Sequence, residues 1–366
     1  MMHVFETAFG PMGIDFSKAG VTRIRLFEEA PPSTVSKPPR FVMSAAKSIE
    51  KHLGGSPQDL RNVQLDTSDV PQFWRKVYEV AREVPAGKVI GYGELAANAG
   101  SPGASRAVGT AMSKNPFMIV VPCHRVLASG DKLGGFSAPG GTVTKEKILA
   151  LEGVFLGVKR PKLAFDPDTA TAHLSSSDPV LAPLIARVPY RLEPSPSLSL
   201  FDALGRSIVY QQLSGKAAGT IHARYRMLFD RGRPNAEELS QRTVPRLRAV
   251  GLSENKAKAL HDLGEKIRHG ELPTLDALSK MDDEAIIATL TKVRGIGRWT
   301  VQMILMFRLG RPDVLPIDDY GVRKGFQKLY RTRELPTGER ITKHARKWAP
   351  YRSVGSWYMW RATETE

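Results

Sequence analysis

The spacing of the apolar residues changes along this chain, and that change limits the folds open to it. Residues 1–30 alternate, with Val4-Phe5-Glu6-Thr7-Ala8-Phe9 followed by Val21-Thr22-Arg23-Ile24-Arg25-Leu26-Phe27. They read as two strands joined through Gly10-Pro11-Met12-Gly13, with a third short strand near Ile14–Phe16. From Asp178 onward the spacing is helical. Leu200-Phe201, Leu204, Ile208-Val209 and Gln212-Leu213 keep a 3.6-residue period. Further helices fit 215–229, 253–269, 282–292, 298–309, 319–330 and 338–347, and no strong strand run interrupts them. The expected fold is therefore a multidomain α/β plus all-α chain. Its parts are a small α/β subdomain at 1–66, a helical subdomain at 67–156, a linker at 157–177 and an α-helical domain at 178–366. The linker reading rests on Pro161, Pro167 and Ser175-Ser176-Ser177.

Between these regions, residues 30–40 are rich in Pro and Ser and read as a loop, and a short helix fits 41–53, closed by Gly54-Gly55. Residues 70–115 read as helices. Pro71 opens the first and Pro85-Ala86-Gly87 stops it, and a Gly/Ser/Pro turn at 100–103 separates two more. On spacing alone the last pair is an ordinary αα-hairpin or a helix-turn-helix. An apolar run, Phe117-Met118-Ile119-Val120-Val121, then reads as a buried strand ended by Pro122, which cannot donate to a sheet ladder.

Directly after that proline stand Cys123 and His124. Cys123 is the chain's single cysteine, which excludes an intrachain disulfide, a Cys-rich zinc site and an iron–sulfur cluster. A thiol becomes a nucleophile when an imidazole, a cation or a helix N-terminus favours its thiolate, so a histidine beside it makes Cys123 a candidate nucleophile as well as a candidate buried structural cysteine. The net charge of +16 favours a polyanionic partner. The excess is uneven: residues 1–155 carry 18 Lys and Arg against 14 Asp and Glu, which leaves 35 against 23 for the rest. No signal peptide, long apolar span or lipidation motif is evident, so a soluble, cytoplasmic protein with no membrane partner is expected.

Val121-Pro122-Cys123-His124-Arg125-Val126, with Asn115-Pro116 just upstream, resembles the active-site motif of the methylated-DNA–protein-cysteine methyltransferases, the O6-alkylguanine-DNA alkyltransferases. Gly91-Tyr92-Gly93-Glu94-Leu95-Ala96, Ser105-Arg106-Ala107-Val108-Gly109, Gly134-Gly135-Phe136-Ser137 and Leu149-Ala150-Leu151-Glu152-Gly153 stand around it in that family's order. The resemblance implies that the second helix of the helix-turn-helix enters the DNA minor groove. Arg106 would fill the gap left when the target nucleotide flips out of the stack. Tyr92 would crowd the 3′ phosphate, Asn115 would brace the active-site turn, and Ser137 would contact O6. Glu152 would hold His124, which draws the proton from Cys123 through a water. Phe136 departs from the family, many members of which have tyrosine there. Some relatives carry a structural zinc in the first subdomain; with only His3 and His52 and no thiol available there, no metal is expected.

The C-terminal half carries a second resemblance. Val293-Arg294-Gly295-Ile296-Gly297-Arg298-Trp299-Thr300 puts two glycines around one apolar residue between helices, and a Pro-containing loop ending in Asp follows at Leu315-Pro316-Ile317-Asp318-Asp319-Tyr320-Gly321-Val322. This resembles the helix-hairpin-helix DNA glycosylase superfamily. Tyr210-Gln211-Gln212-Leu213-Ser214 and Trp348-Ala349-Pro350-Tyr351-Arg352-Ser353 point to its 3-methyladenine glycosylase II branch. The resemblance implies that Gly295 and Gly297 let backbone N–H groups approach a phosphate, with a monovalent cation an option at hairpin 293–298 and no other cofactor. Asp319 would stabilise the cation that forms on the sugar. The Asp318-Asp319 pair would also cap the following helix. Trp299, and in second place Tyr210 or Trp357, would line the base pocket, while Trp357 and Trp360 read first as core. Leu213 would wedge into the duplex. Trp299 stands where bifunctional relatives carry a nucleophilic lysine, so no strand cleavage is expected.

Together these readings predict a monomeric, bifunctional alkylation-repair enzyme acting on double-stranded DNA. One half would move alkyl groups from guanine O6 to Cys123, and the other would excise 3-methyladenine and other N-alkylated bases. The alternative is that one half is catalytically silent and serves as a DNA-binding or lesion-sensing module.

Overall fold

In the computed structural model, residues 1–130, 132–158, 161–192, 194 and 198–365 are described. They form two compact units. The first takes in Met1–Gly157 and Val209–Ser253, the second Val158–Ile208 and Glu254–Glu366. The boundary therefore differs from one drawn at 157–177. The segment 209–253, whose spacing continues that of the C-terminal half, folds with the N-terminal part.

The first unit opens with an antiparallel sheet in the order β1 (Met2–Thr7), β2 (Gly10–Phe16), β3 (Val21–Leu26). Here the expectation is corrected. Gly10–Gly13 is not the link between strands but the first half of β2, which pairs from Thr7↔Gly10 to Met2↔Asp15 and turns through Ala8-Phe9. Strand β1 shows no alternation in burial, Phe5 packing only partly buried against the core; Met12, Ile14 and Phe16 of β2 with Val21, Ile24 and Leu26 of β3 supply the buried face.

Helix α1 (Arg40–Leu53) buries Val42, Ala45, Ala46, Ile49, His52 and Leu53. These fall on one stripe at helical spacing. Full burial of an aliphatic side chain such as Ile49 contributes roughly 1.5–3 kcal/mol. His52 lies on the same stripe, three residues past Ile49, and is as buried as its apolar neighbours.

Next come α2 (Gln72–Arg82), a two-residue strand β4 (Ile90–Gly91), α3 (Tyr92–Asn98) and α4 (Ser105–Ser113). Strand β4 pairs in parallel with β5 (Val126–Leu127), Ile90 opposite Val126 and Gly91 opposite Leu127. Helix α5 (Gly141–Leu151) ends in a left-handed Gly153, φ +84°. The Val154 N–H donates to the Leu149 carbonyl and the Gly153 N–H to that of Ala150, the paired bonds of a Schellman cap. That cap fixes the position of Glu152 at the helix end.

Phe117–Val121 is buried as expected but is not a strand. Phe117, Met118 and Val121 make isolated bridges, Ile119 has φ +73°, and the Val121 N–H closes back on the Phe117 carbonyl at 2.8 Å. An apolar run this short does not distinguish a buried strand from a buried turn.

The second unit is helical. Residues 167–177, read above as linker, form α6 (Pro167–Ser177), started by Asp166 as N-cap and Pro167 in the first turn, with Ala170 and Leu174 buried. Its functional part lies on α7 (Arg298–Phe307), α8 (Tyr320–Leu329) and α9 (Arg352–Glu364). Helices α8 and α9 cross closely. A Cβ added at Gly325 would stand 1.8 Å from the Met359 carbonyl oxygen, so only glycine admits that approach. Among the described residues no helix is long and apolar enough to cross a membrane.

Candidate active sites

In the first unit, the pairing of β4 with β5 brings the start of α3 beside the turn that precedes β5. That turn is a single 3-10 turn, Cys123–Arg125. Cys123 is half-buried and lines a cavity of about 310 Å³ with Tyr92, Gly109, Met112, Ser113, Gly135, Phe136 and Ser137. Asn115 holds the approach to the turn. Its Nδ2 donates to the Val121 carbonyl at 2.8 Å, and its Oδ1 accepts from the Phe117 N–H at 2.9 Å. Arg106 is exposed in the first turn of α4, three residues before Gly109 and so on the helix face that lines the cavity.

Behind the thiol lies a buried polar cluster. Glu152 Oε1 accepts from His124 Nε2 at 3.0 Å, from His52 Nε2 at 2.9 Å and from Arg125 Nη2 at 2.8 Å, while its Oε2 accepts from Arg125 Nε at 3.0 Å. Arg125 also donates to the Val84 carbonyl. Burial by itself would raise the Glu152 pKa, but His124, His52 and Arg125 outweigh it and hold the carboxyl far below its ordinary range. Burial pushes the His124 imidazole below its ordinary value, opposed by Glu152. With Nε2 donating to Glu152, the bare nitrogen is Nδ1, which is buried and has no partner among the described residues. His124 is thus a neutral imidazole with a free acceptor nitrogen on the same turn as the thiol.

Burial pushes the Cys123 thiol up as well, while the Asn115 side chain, the Lys145 charge and the N–H groups of Cys123 and His124 pull it down. Lys145 is itself buried, donates to the carbonyls of Val126 and Leu133, and is lowered to about 8 chiefly by that burial. A thiol in this setting rests protonated and needs a base at the moment of attack.

Cys123, His124, Glu152, Tyr92, Asn115 and Ser137 are brought together as expected. His52 and Arg125 were not expected in the cluster. Both ring nitrogens of His52 are engaged with protein, Nε2 with Glu152 Oε1 and Nδ1 with the Gln58 N–H, which donates at 3.1 Å. The signal for His52 was its place on the apolar stripe of α1.

In the second unit, Asp319 is the N-cap of α8. Its Oδ1 accepts from the Val322 N–H at 2.8 Å and from Trp360 Nε1 at 2.8 Å, and its Oδ2 accepts from Trp299 Nε1 at 2.8 Å. Asp319 is thus the cap of the Asp318-Asp319 pair, and Asp318 is exposed beside it. Trp360, read first as core, does pack partly buried against the core and is a partner of Asp319 as well, its ring stacked on Phe307 with centroids 5.6 Å apart. The core reading holds for Trp357, which is buried and meets Tyr190 edge-on. Gly321 is needed here, because a Cβ would meet Trp360 Cδ1 at 2.7 Å. Trp299 is 42% exposed, with its ring open to a ligand while its N–H is committed.

Gly295 takes φ +74° in the hairpin, and Gly297 begins α7 without a side-chain cap. The Arg294 N–H is taken by Asp262 Oδ2 at 2.7 Å and the Ile296 N–H by the Val293 carbonyl, so the uncapped first turn of α7 is what offers N–H groups to an anion. Leu213 and Tyr210 belong to the first unit. Leu213 is exposed on the turn after Gln212, whose φ is +54°.

Comparison with known proteins gives each part a family. The family model described as the 6-O-methylguanine DNA methyltransferase DNA-binding domain matches residues 72–154, and that of the HhH-GPD superfamily base excision DNA repair proteins matches residues 206–351. The methylated-DNA–protein-cysteine methyltransferase of Methanothermobacter thermautotrophicus is 36% identical over 146 residues, 40% of this chain and 81% of its own. DNA-3-methyladenine glycosylase 1 of Schizosaccharomyces pombe is 36% identical over 165 residues, 45% of this chain and 72% of its own. The structure of the S. pombe 3-methyladenine DNA glycosylase in complex with abasic DNA aligns with 54% of this chain and 97% of that one, at 34% identity and a TM-score of 0.51. The chain is a fusion that belongs to two families at once, the methylated-DNA–protein-cysteine methyltransferases through its N-terminal part and the helix-hairpin-helix glycosylases of the HhH-GPD superfamily through its C-terminal part.

Proposed function

We propose that this chain repairs alkylated DNA by two separate reactions, stoichiometric alkyl transfer from guanine O6 to Cys123 and hydrolytic excision of N-alkylated bases, 3-methyladenine among them, at Asp319. The observation that carries the proposal is that each part keeps a complete reacting group. Cys123 shares a turn with a neutral imidazole that has a free nitrogen, and Asp319 is an oriented carboxylate beside an exposed indole face.

In the first reaction the nucleotide leaves the stack, Arg106 takes its place, and O6-alkylguanine enters the cavity beside Tyr92 and Ser137. His124 Nδ1 takes the thiol proton through a water. The Cys123 sulfur attacks the alkyl carbon, a C–S bond forms and the C–O bond breaks. The electron pair of that bond goes to guanine, which recovers a proton and stays in the DNA. Nothing regenerates the thiol, so each molecule reacts once.

In the second reaction the alkylated base carries positive charge and leaves with the electrons of its N-glycosidic bond. The Asp319 carboxylate stabilises the cation left on the sugar, and a water completes the hydrolysis at that carbon and releases a proton. Trp299 offers its ring face to the cationic base, and Leu213 wedges into the duplex. The first turn of α7 receives a backbone phosphate. A monovalent cation at 293–298 would be held by main-chain carbonyls and would fix that turn against the phosphate. Trp299 in place of a lysine leaves no amine nucleophile at that position, so the product is an abasic site.

The test gives the intact chain one duplex carrying O6-methylguanine and bulk methylated DNA. One methyl increment on Cys123 together with turnover of free 3-methyladenine is expected. A mass increment without base release would reduce the C-terminal part to a docking module. Base release without an increment would make the N-terminal part a lesion sensor.

A further inference from the structure

The structure assigns His52 as a positioning residue of the alkyl-transfer relay: through its hydrogen bond to Glu152 it sets the orientation and the charge that His124 feels. This rests on the reading of Cys123 as the alkyl acceptor.

The argument begins with the tautomer. The Gln58 main-chain N–H can only donate, and it points at His52 Nδ1 at 3.1 Å. His52 Nδ1 is therefore bare, and its proton sits on Nε2, 2.9 Å from Glu152 Oε1. That same oxygen accepts from His124 Nε2 and Arg125 Nη2. Three donors from two elements, α1 and the Cys123 turn, thus converge on one carboxylate oxygen, and all four side chains are buried. Arg125 alone could bridge both oxygens and still allow the carboxylate to tilt. His52, anchored on α1, removes that freedom.

The same bond has an electrostatic sign. A donor to a carboxylate draws charge from it, so His52 weakens the pull of Glu152 on a His124 proton. The remaining ionisable groups facing this system are Lys145 from α5, Tyr78 from α2 and Tyr92 from α3, each of which feels the Cys123 charge. None of them bonds Glu152. Removing the His52 donor should leave Glu152 more negative, His124 more basic and the Cys123 thiolate easier to form.

Two variants separate positioning from packing. His52→Gln places an amide N–H near the position of Nε2 and keeps the donor. His52→Asn is polar too, but its amide ends near the position of Nδ1 and does not reach. Because Cys123 is the sole thiol, iodoacetamide alkylation of the full chain across pH reads its thiolate directly. The alkylation midpoint should stay at the wild-type value in His52→Gln and fall by about half to one unit in His52→Asn. The acid limb of single-turnover transfer from O6-methylguanine should move the same way. An unmoved midpoint in His52→Asn, or an equal shift in both variants, would overturn the assignment. Should His52→Asn not fold, ¹⁵N shifts of the wild-type histidines decide: bare Nδ1 with Nε2–H at His52 supports the bond, and the opposite tautomer refutes it. A wild-type chain that takes no methyl group while the alkylation midpoints still follow this pattern would sink the alkyl-transfer reading and leave the His52 bond standing.

Discussion

Two carboxylates organise this molecule, and they are held in opposite ways. Glu152 is buried and faces an arginine and two histidines. Asp319 is half-exposed, and its partners are two neutral indole N–H groups and one main-chain N–H. Among the described residues no cation is paired with Asp319. The difference follows from what each group has to do. In the proposed transfer Glu152 acts through His124, so its charge can be spent on Arg125 provided its orientation is kept. In the proposed excision Asp319 faces the charge that develops on a sugar, so its own charge has to remain available. Neutral donors orient a carboxylate without cancelling it, and an uncancelled anion is worth most where a cation forms.

The largest expected effects test whether the two sites are independent. Cys123→Ala should abolish methyl transfer and leave base release as it was. Asp319→Asn should lower excision on the order of 10²–10³-fold, as loss of an oriented transition-state partner does, with methyl transfer unchanged. Mass spectrometry of Cys123 and assay of free bases read both in one reaction. If either variant damages both activities while the fold is intact, the contrast between two separate centres fails.

Stability should separate the carboxylates next. Glu152→Gln leaves Arg125 buried beside a neutral amide, and removing one partner of a buried ion pair costs about 3–5 kcal/mol. Asp319→Asn should cost under about 1 kcal/mol, because Asn caps a helix as well as Asp. Urea denaturation can follow each unit by itself. Capture of Cys123 by a thiol reagent reports the first, and tryptophan fluorescence mainly the second, where Trp299, Trp348, Trp357 and Trp360 lie.

The same two probes read a pH difference. The His124 pKa is lowered on folding, so its contribution to stability is present above its unfolded value of about 6.5 and is lost as pH falls toward the folded value. Glu152 is lowered too, so its contribution remains down to about pH 4.3 and is lost below that. The first unit should therefore weaken in two stages on acidification, the first of them beginning below about pH 6.5. Replacing His124 by Gln should remove the upper stage alone. A first unit whose stability is flat between pH 7 and 5 would contradict the neutral, buried imidazole.

How much of this was legible in the sequence depended on distance along the chain. Cys123, His124, Asn115 and Glu152 sit in local motifs whose order carries their assignment. The start of α6 was written locally as well, in Asp166-Pro167, and was hidden by reading Pro and Ser content as a linker. His52 and Glu152 are 100 residues apart, and no local pattern pairs them. Helical spacing on α1 does show His52 facing inward, and a buried histidine has to find a partner. The Phe117–Val121 run showed its burial but not its conformation. The turn at Ile119 is held by a main-chain bond across five residues and by Asn115, neither of which hydrophobicity reports. The core reading of Trp360 holds in part, but it does not say where the indole N–H goes, and a part-buried indole N–H asks for an acceptor.

That acceptor is Asp319, and it supplies the smallest and sharpest prediction. Trp360→Phe keeps the stack on Phe307 and removes only the donor to Oδ1. The Val322 N–H still holds that oxygen and Trp299 still holds Oδ2, so the helix cap survives. Losing one of three orienting bonds should slow excision about 5- to 30-fold, in line with roughly 1–2 kcal/mol for a single neutral hydrogen bond at a reacting group. Single-turnover base release should fall while DNA affinity, read by fluorescence anisotropy on an abasic duplex, stays put. If excision instead rises, the indole was drawing charge from the carboxylate more than orienting it. Trp360 would then do at Asp319 what His52 does at Glu152, and the two carboxylates would be held more alike than their partners suggest.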